Sequence, residues 1–305
     1  MVLGITGGSG FVGRTLVDII RAKKIQYISF LRTTDSDSNS FTIGDISDLT
    51  DWKDALSDVS VLIHLASIAH GKTSSVDDYE SINYLGTLNL AKQAATSGVK
   101  RFVFISSVGV LGSSTGKEGF TGNSIPAPEN LYSLSKAKTE DALKELSRTT
   151  GMEIVIIRPP LIYGRNAPGN FGMLTKLIKR LPVLPFGLAT NRRNFISVQN
   201  LADLLITCAT HPNAAGHTFL ASDSETVSIK EFTNAIAKGL GKKVIQLPVP
   251  VTLMRLAGKL AGKSTMIEQL YGNLEVDSSN IKEVLGWTPP FTMEQSMAFL
   301  KHTDK

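Results

Sequence analysis

Short runs of aliphatic and β-branched residues alternate with longer amphipathic stretches through the first half of the chain. Residues 2–6, 25–31, 59–65, 101–106 and 154–158 have the length and composition of strands. Residues 11–23, 79–97 and 131–149 have the apolar spacing of helices. Strands alternating with helices form βαβ units and a parallel sheet. Such a sheet is covered on both faces, so its strands carry unbroken apolar runs such as Ile154-Val155-Ile156-Ile157. The pattern predicts an α/β fold with a doubly wound parallel sheet over residues 1–160. After Pro159-Pro160 the alternation breaks down, and Gly, Pro and Asn cluster through residues 164–172. Residues 161–305 are expected to form mainly a smaller C-terminal substrate-binding lobe, with segments returning to the main sheet. Residues 35–40 read as a polar loop.

The first predicted strand runs into Thr6-Gly7-Gly8-Ser9-Gly10-Phe11-Val12-Gly13, and the first helix starts inside that motif. Glycines there let the backbone turn tightly, approach a pyrophosphate and pack the helix closely on the strand. The helix N-terminus at Phe11 and Val12 offers free N–H groups and positive dipole to phosphates. A strand before and a helix after give the context of a Rossmann dinucleotide site. Gly7, Gly10, Phe11, Val12 and Gly13 are therefore expected to bind NAD or NADP. An acid at the end of the second strand would bind the ribose 2′-OH of NAD, whereas an Arg favours the 2′-phosphate of NADP. That strand ends Leu31-Arg32-Thr33-Thr34, so Arg32 points to NADP, with Arg14 placed to assist. Asp35 or Asp37 folded back onto the ribose would instead leave NAD.

A second motif, Tyr132-Ser133-Leu134-Ser135-Lys136, sets a phenol and an ammonium four residues apart, on one face of a helix. A phenol ordinarily loses its proton near pH ~10, too high for a base at neutral pH. A nearby cation lowers that value, and both Lys136 and an oxidised nicotinamide could supply one. Tyr132 is then the expected acid/base for a substrate hydroxyl. Ser106-Ser107 ends a predicted strand, and strand carboxyl ends are where open parallel sheets build their sites. Ser106 is expected beside the cofactor and Ser107 on the reacting oxygen.

Composition narrows the function classes. The 305 residues are 42% hydrophobic and 19% charged, enough for a large core with an appended lobe. Lys and Arg number 32 against 27 Asp and Glu, a formal charge of +5. No dense basic run or aromatic–basic interleaving accompanies that excess, so an anionic small ligand or a mildly basic surface fits it and nucleic acid does not. Cys208, the lone cysteine, excludes an internal disulfide and sits in an apolar stretch as a structural thiol. The five histidines lack metal-ligand spacing, and no metal is expected. No apolar run reaches the ~20 residues that span a bilayer. The glycine-rich N-terminus lacks the basic start of a signal peptide. The expectation is a cytoplasmic protein without membrane insertion.

Taken together, these motifs resemble the extended short-chain dehydrogenase/reductase superfamily, the group of NAD-dependent epimerases and dehydratases acting on nucleotide sugars. The resemblance rests on the glycine loop, Gly44-Asp45-Ile46, His64-Leu65-Ala66, Asn83 with Gly86-Thr87-Leu88-Asn89-Leu90, Ser106-Ser107 and the Tyr132/Lys136 pair. It extends through Arg158-Pro159-Pro160-Leu161-Ile162-Tyr163-Gly164, Asn194-Phe195-Ile196-Ser197-Val198 and Leu285-Gly286-Trp287. It implies that Asp45 and Ile46 flank the adenine, and that Leu65 and Ala66 line the pyrophosphate and ribose. Lys136 would hold the nicotinamide ribose and Pro159 would pass the nicotinamide. Asn170 and Phe171 would meet the nucleotide of the substrate, and Arg193 its phosphates. A homodimer through the helices at 79–97 and 131–149 is also implied.

Three departures bear on the activity. Dehydratases of the group carry an acidic pair after the serine position, but Val108-Gly109 stand there, so dehydration is disfavoured. Leu111 occupies a place often taken by an aromatic. Ala69 and His70 stand near the point where some epimerases carry a lysine. The reading placed first is a 4-keto reductase of a UDP-linked sugar for surface polysaccharide precursors, drawing on Arg32. A 4-epimerase using the same Tyr and Ser with bound NAD is the alternative. A cofactor-sensing protein without catalysis ranks last, because Tyr132 and Lys136 are both present.

Overall fold

Alternate residues of the central strands face opposite ways, and both sets are apolar. Leu3, Ile5, Ile63, Val103 and Val155 share one buried cluster, whereas Leu62, Phe102, Phe104 and Ile156 share another. The strands are thus buried on both sides, as their sequence runs require. The protein is described by a computed structural model covering residues 1–35, 37–69 and 75–301.

The main sheet contains β1 (Leu3–Thr6), β2 (Tyr27–Leu31), β3 (Ser40–Thr42), β4 (Val61–His64), β5 (Arg101–Ile105) and β6 (Glu153–Arg158). The chain then adds β7 (Leu161–Tyr163), β8 (Val183–Leu184), β9 (Arg193–Ser197), β10 (Thr218–Leu220), β11 (Thr226–Val227) and β12 (Ile245–Gln246). The seven-stranded sheet runs β10-β6-β5-β4-β1-β2-β3, and its pairs are parallel. The strand order reverses between β1 and β4, which opens a crevice at their carboxyl ends. A small sheet, β11-β9-β7, and a β12-β8 pair stand apart from it.

The helices are α1 (Phe11–Ala22), α2 (Val76–Asp78), α3 (Thr87–Thr96), α4 (Leu131–Thr150), α5 (Gly169–Arg180) and α6 (Val198–Thr210). They continue with α7 (Ile229–Gly239), α8 (Val251–Leu260), α9 (Ser264–Tyr271), α10 (Ser279–Leu285) and α11 (Met293–Ala298). Helices α1 and α6 cover one face of the main sheet, and α3 and α4 cover the other. Asn130 starts α4 by accepting the Ser133 N–H (2.9 Å), and Gly151 ends it at φ 75°. Both ends follow from residue type, a polar N-cap and a left-handed glycine.

The expected segments form with ends shifted by one or two residues. The largest difference is before α3. There the chain is already helical at Val76 and passes through a π-helical stretch, Tyr79–Gly86, before the regular turns of α3. At Gly86 a Cβ would sit 2.9 Å from the Ile46 side chain, so glycine lets this helix close onto the segment after β3. The later half also returns to the main sheet, through β10, α6 and the side chains of Ile281, Leu285 and Trp287. Cys208 is buried in α6, and burial pushes its thiol up to about 12, which leaves it unreactive. His70 lies outside the described residues. Among those described, no helix is long and apolar enough to cross a membrane.

Candidate active site

The glycine loop fits its turn at atomic contact. Gly7 has φ +70°, and a Cβ there would lie 2.7 Å from the Ala66 nitrogen. A Cβ on Gly13 would lie 2.1 Å from the Gly7 carbonyl oxygen. The loop therefore packs directly on Leu65-Ala66 at the end of β4. The Ala66 N–H donates to Thr6 Oγ1 (3.3 Å), and His64 lies between Thr6 Oγ1 (2.7 Å) and Thr87 Oγ1 (2.8 Å). Burial, aided by the Lys136 charge, lowers His64 to about 3, so the imidazole is a neutral strut. No side chain caps α1, and its first turn holds no acid. Free N–H groups at an uncapped helix start, backed by a cradle without Cβ atoms, suit a pyrophosphate.

Arg32 and Asp45, read from sequence as separate cofactor contacts, form one exposed ion pair with N···O 2.9 Å. Any phosphate at Arg32 would compete with that carboxylate. Asp37, with Asp35 the alternative contact for a ribose, is already engaged. Its carboxylate is held by Arg21, the Tyr27 hydroxyl (3.1 Å) and the Asn39 N–H (3.0 Å).

Tyr132 and Lys136 share one face of α4, as their spacing predicts. Lys136 is 2% exposed; its ammonium donates to the Ile105 carbonyl (2.8 Å) and lies 4.6 Å from the centre of the Phe104 ring. Burial lowers it to about 7, against a smaller opposing pull from Glu140. Tyr132 behaves differently from the expectation that Lys136 would lower it. Burial pushes the phenol up to about 12; a Ser67 hydrogen bond lowers it and neighbouring Tyr79 raises it further. Desolvation thus sets the direction, and the lysine's ammonium donates to β5.

Ser106 also departs from its expected place. Its hydroxyl donates to the buried Glu140 carboxylate, which Arg158 grips through Nε (2.9 Å) and Nη2 (2.5 Å). It is a structural tie between β5 and α4 rather than a hydroxyl turned to a cofactor. Ser107 is half-buried, and its Oγ accepts the Gly109 N–H (3.1 Å) while the hydroxyl proton stays available to a ligand. Pro159 is fixed beside it, its carbonyl accepting the Val108 N–H (3.0 Å).

At the start of β9 the two neighbouring arginines separate. Arg192 is exposed and paired with Glu275 (2.8 Å). Arg193 turns inward and donates to the Gly272 carbonyl (2.9 Å); burial lowers it to about 10, so it stays charged at neutral pH. Asn170 is half-buried and donates to Gln269 (3.3 Å). Phe171 is buried as a side chain. Its ring is 1% exposed and packs on Tyr163 and Phe232, leaving its backbone alone to meet a ligand.

Three positions had no assigned role from sequence. Ser67 bonds the phenol. Asn83 accepts the Ile68 N–H (2.8 Å) and donates to the Ile68 carbonyl (2.9 Å) and Ser135 (3.2 Å), pinning the strand-end segment to α4. Glu140 joins Ser106 and Arg158. For Glu140 a signal existed: its i+4 spacing from Lys136 puts both on one helix face.

A family model described as the NAD dependent epimerase/dehydratase family matches residues 3–221. The chain is 41% identical to a UDP-glucose 4-epimerase from Vibrio cholerae, covering 99% of this chain and 96% of that protein. A solved UDP-N-acetylglucosamine 4-epimerase from Bacillus cereus superposes with TM-score 0.79 at 19% identity, covering 99% of this chain and 98% of that one. A short-chain dehydrogenase/reductase superfamily protein from Agrobacterium tumefaciens with bound NAD also gives TM-score 0.79, at 20% identity and 99% and 96% coverage. At these identities the two structural likenesses speak to the fold.

Proposed function

The chain belongs to the NAD-dependent epimerase/dehydratase family, and from that premise we propose that it is a UDP-sugar 4-epimerase. The observation that carries this reading is that α4 brings the Lys136 ammonium onto the Ile105 carbonyl (2.8 Å), two residues before Ser107, with the Tyr132 ring centre 5.8 Å from the same ammonium. The choice of epimerisation over the 4-keto reduction favoured by Arg32 rests on the relative from Vibrio cholerae, and on the Asp45 carboxylate that already occupies Arg32.

Gly7, Gly10, Phe11, Val12, Gly13, Leu65 and Ala66 would hold a dinucleotide. When bound, its oxidised nicotinamide would supply the hydride acceptor and a positive charge. Ser107 anchors the C4 oxygen through its free hydroxyl proton. Tyr132 takes the proton of the C4 hydroxyl during oxidation and returns it on reduction, so its pKa must fall from about 12 before it acts as a base. Lys136, lowered to about 7, gains and loses its proton near neutrality, so the charge beside the Tyr132 ring changes with its protonation. Arg193 and Asn170 would hold the diphosphate and nucleotide of the sugar. Epimerisation then needs the keto sugar to present its other face to the same groups.

The test incubates the purified protein with UDP-glucose or UDP-N-acetylglucosamine, without added cofactor, and assays the cofactor released on denaturation. C4 epimers formed with retained NAD support the proposal. An empty protein that consumes NADPH stoichiometrically with a 4-keto nucleotide sugar would replace it with the reductase.

A further inference from the structure

Helix α8 has two apolar faces where one would serve. Its packed face is Val251, Met254 and Gly258, and at Gly258 a Cβ would sit 2.5 Å from Ile267 of α9. Leu253, Leu256 and Leu260 are 55%, 54% and 82% exposed. At about 100° per residue these three leucines fall on the side of the helix opposite the packed one. The chain enters α8 through Ile245 and Leu247, which are exposed as well. Isolated surface leucines need no explanation, but a stripe of them along one helix face does.

Charge narrows what covers the stripe. Between Glu231 and Glu268 the chain has no acidic residue, yet it carries Lys238, Lys242, Lys243, Arg255, Lys259 and Lys263. Arg255 is paired with Glu268 (2.8 Å), while Lys259 flanks the leucines and Lys263 follows the helix end. Leucines bordered by lysines form the pattern of a helix that lies in a lipid interface, its apolar side in the acyl boundary and its basic side at the headgroups. A second copy fits less well. A two-fold contact would bring this patch against itself, lysine facing lysine.

We infer that the α8 face docks this protein peripherally on an anionic lipid surface. The helix is ten residues long and lies on the bilayer rather than crossing it. Helix α9, which packs beneath α8, bears Gln269, the partner of Asn170, and leads to the Gly272 carbonyl that holds Arg193. Docking therefore sets the candidate substrate groups one helix layer, about 10 Å, from the surface.

The test is flotation of the full chain with vesicles of phosphatidylcholine, alone or with about 30% phosphatidylglycerol. Binding is expected with phosphatidylglycerol, to be weakened by salt, and to be lost at least about tenfold in a Leu256→Glu/Leu260→Glu variant of unchanged melting temperature. Lys259→Glu/Lys263→Glu should weaken it on the order of fivefold per charge. Absence of lipid-dependent flotation overturns the inference, as does flotation that the leucine variant retains. A concentration-dependent dimer that the leucine variant dissolves, without flotation, assigns the face to a second copy instead. None of these readouts requires epimerase turnover.

Discussion

Tyr132 and Lys136 carry opposite shifts from one cause. Burial disfavours charge on either, so it raises the phenol to about 12 and lowers the ammonium to about 7. Tyr132→Phe should cut turnover by about 10²–10⁴-fold while cofactor retention and melting temperature hold, measured by steady-state assay and release of bound dinucleotide. Retained turnover would remove Tyr132 from the proton transfer. For Lys136 the consequence is in stability. The ordinary value is 10.5, so between pH 7 and 10.5 the unfolded chain binds more protons than the folded one and stability rises with pH. Lys136→Met should therefore stabilise the protein on the order of 3 kcal/mol below pH 7, after its lost hydrogen bond to Ile105, with the gain fading towards pH 10.5. Thermal melts across that range check the slope; a pH-independent difference would mean that Lys136 is not desolvated. At the same scale, the spacing in the sequence placed this pair on one helix face but could not reveal the shift of the phenol, which depends on how much water the fold removes.

Among the elements, α4 does most to assemble the site. Its inner face carries Lys136 to the Ile105 carbonyl at the end of β5, and Glu140 to Arg158 on β6 and Ser106 after β5. Glu140 and Arg158 are both nearly inaccessible to water. Breaking one side of such a pair leaves an uncompensated buried charge, so Glu140→Gln should destabilise by ~3–5 kcal/mol in urea unfolding. It should also deepen the depression of Lys136, because Glu140 is the group that raises it. A loss below ~1 kcal/mol would show that the amide satisfies Arg158 as well as the carboxylate does. The helical period predicts the bounds of α4 almost to the residue. The π-helical turns before α3 carry no comparable sequence signal, and the close approach of Gly86 to Ile46 there is a tertiary contact.

Over the whole molecule, one buried carboxylate joins the lobes. Asp223 accepts from the Tyr163 hydroxyl (2.7 Å) on β7, the Ser197 N–H (3.0 Å) before α6 and the Asn200 amide (2.7 Å), which also binds the Phe291 carbonyl. Burial raises Asp223 to about 6 from 3.8. Its favourable contribution is therefore present below pH 3.8 and lost as pH rises through 6. Tyr163→Phe removes one donor to that group, at ~1.5–3 kcal/mol when the carboxylate is charged and nearer ~1 when it is neutral. Its penalty should accordingly be larger at pH 8 than at pH 5 in urea titrations; an equal penalty would mean Asp223 keeps one protonation state across that range. The sequence by itself determined the parallel sheet, the glycine loop and the Tyr132/Lys136 spacing, because periodicity, glycine geometry and helical pitch are local properties written in neighbouring residues. Only the tertiary structure decided that Arg32 meets Asp45, that Ser106 serves Glu140, that the Phe171 ring packs in the core, and that Arg193 rather than Arg192 turns inward. Each of those outcomes depends on which distant segment lies alongside and how far it excludes water, and neither quantity exists until the chain has folded.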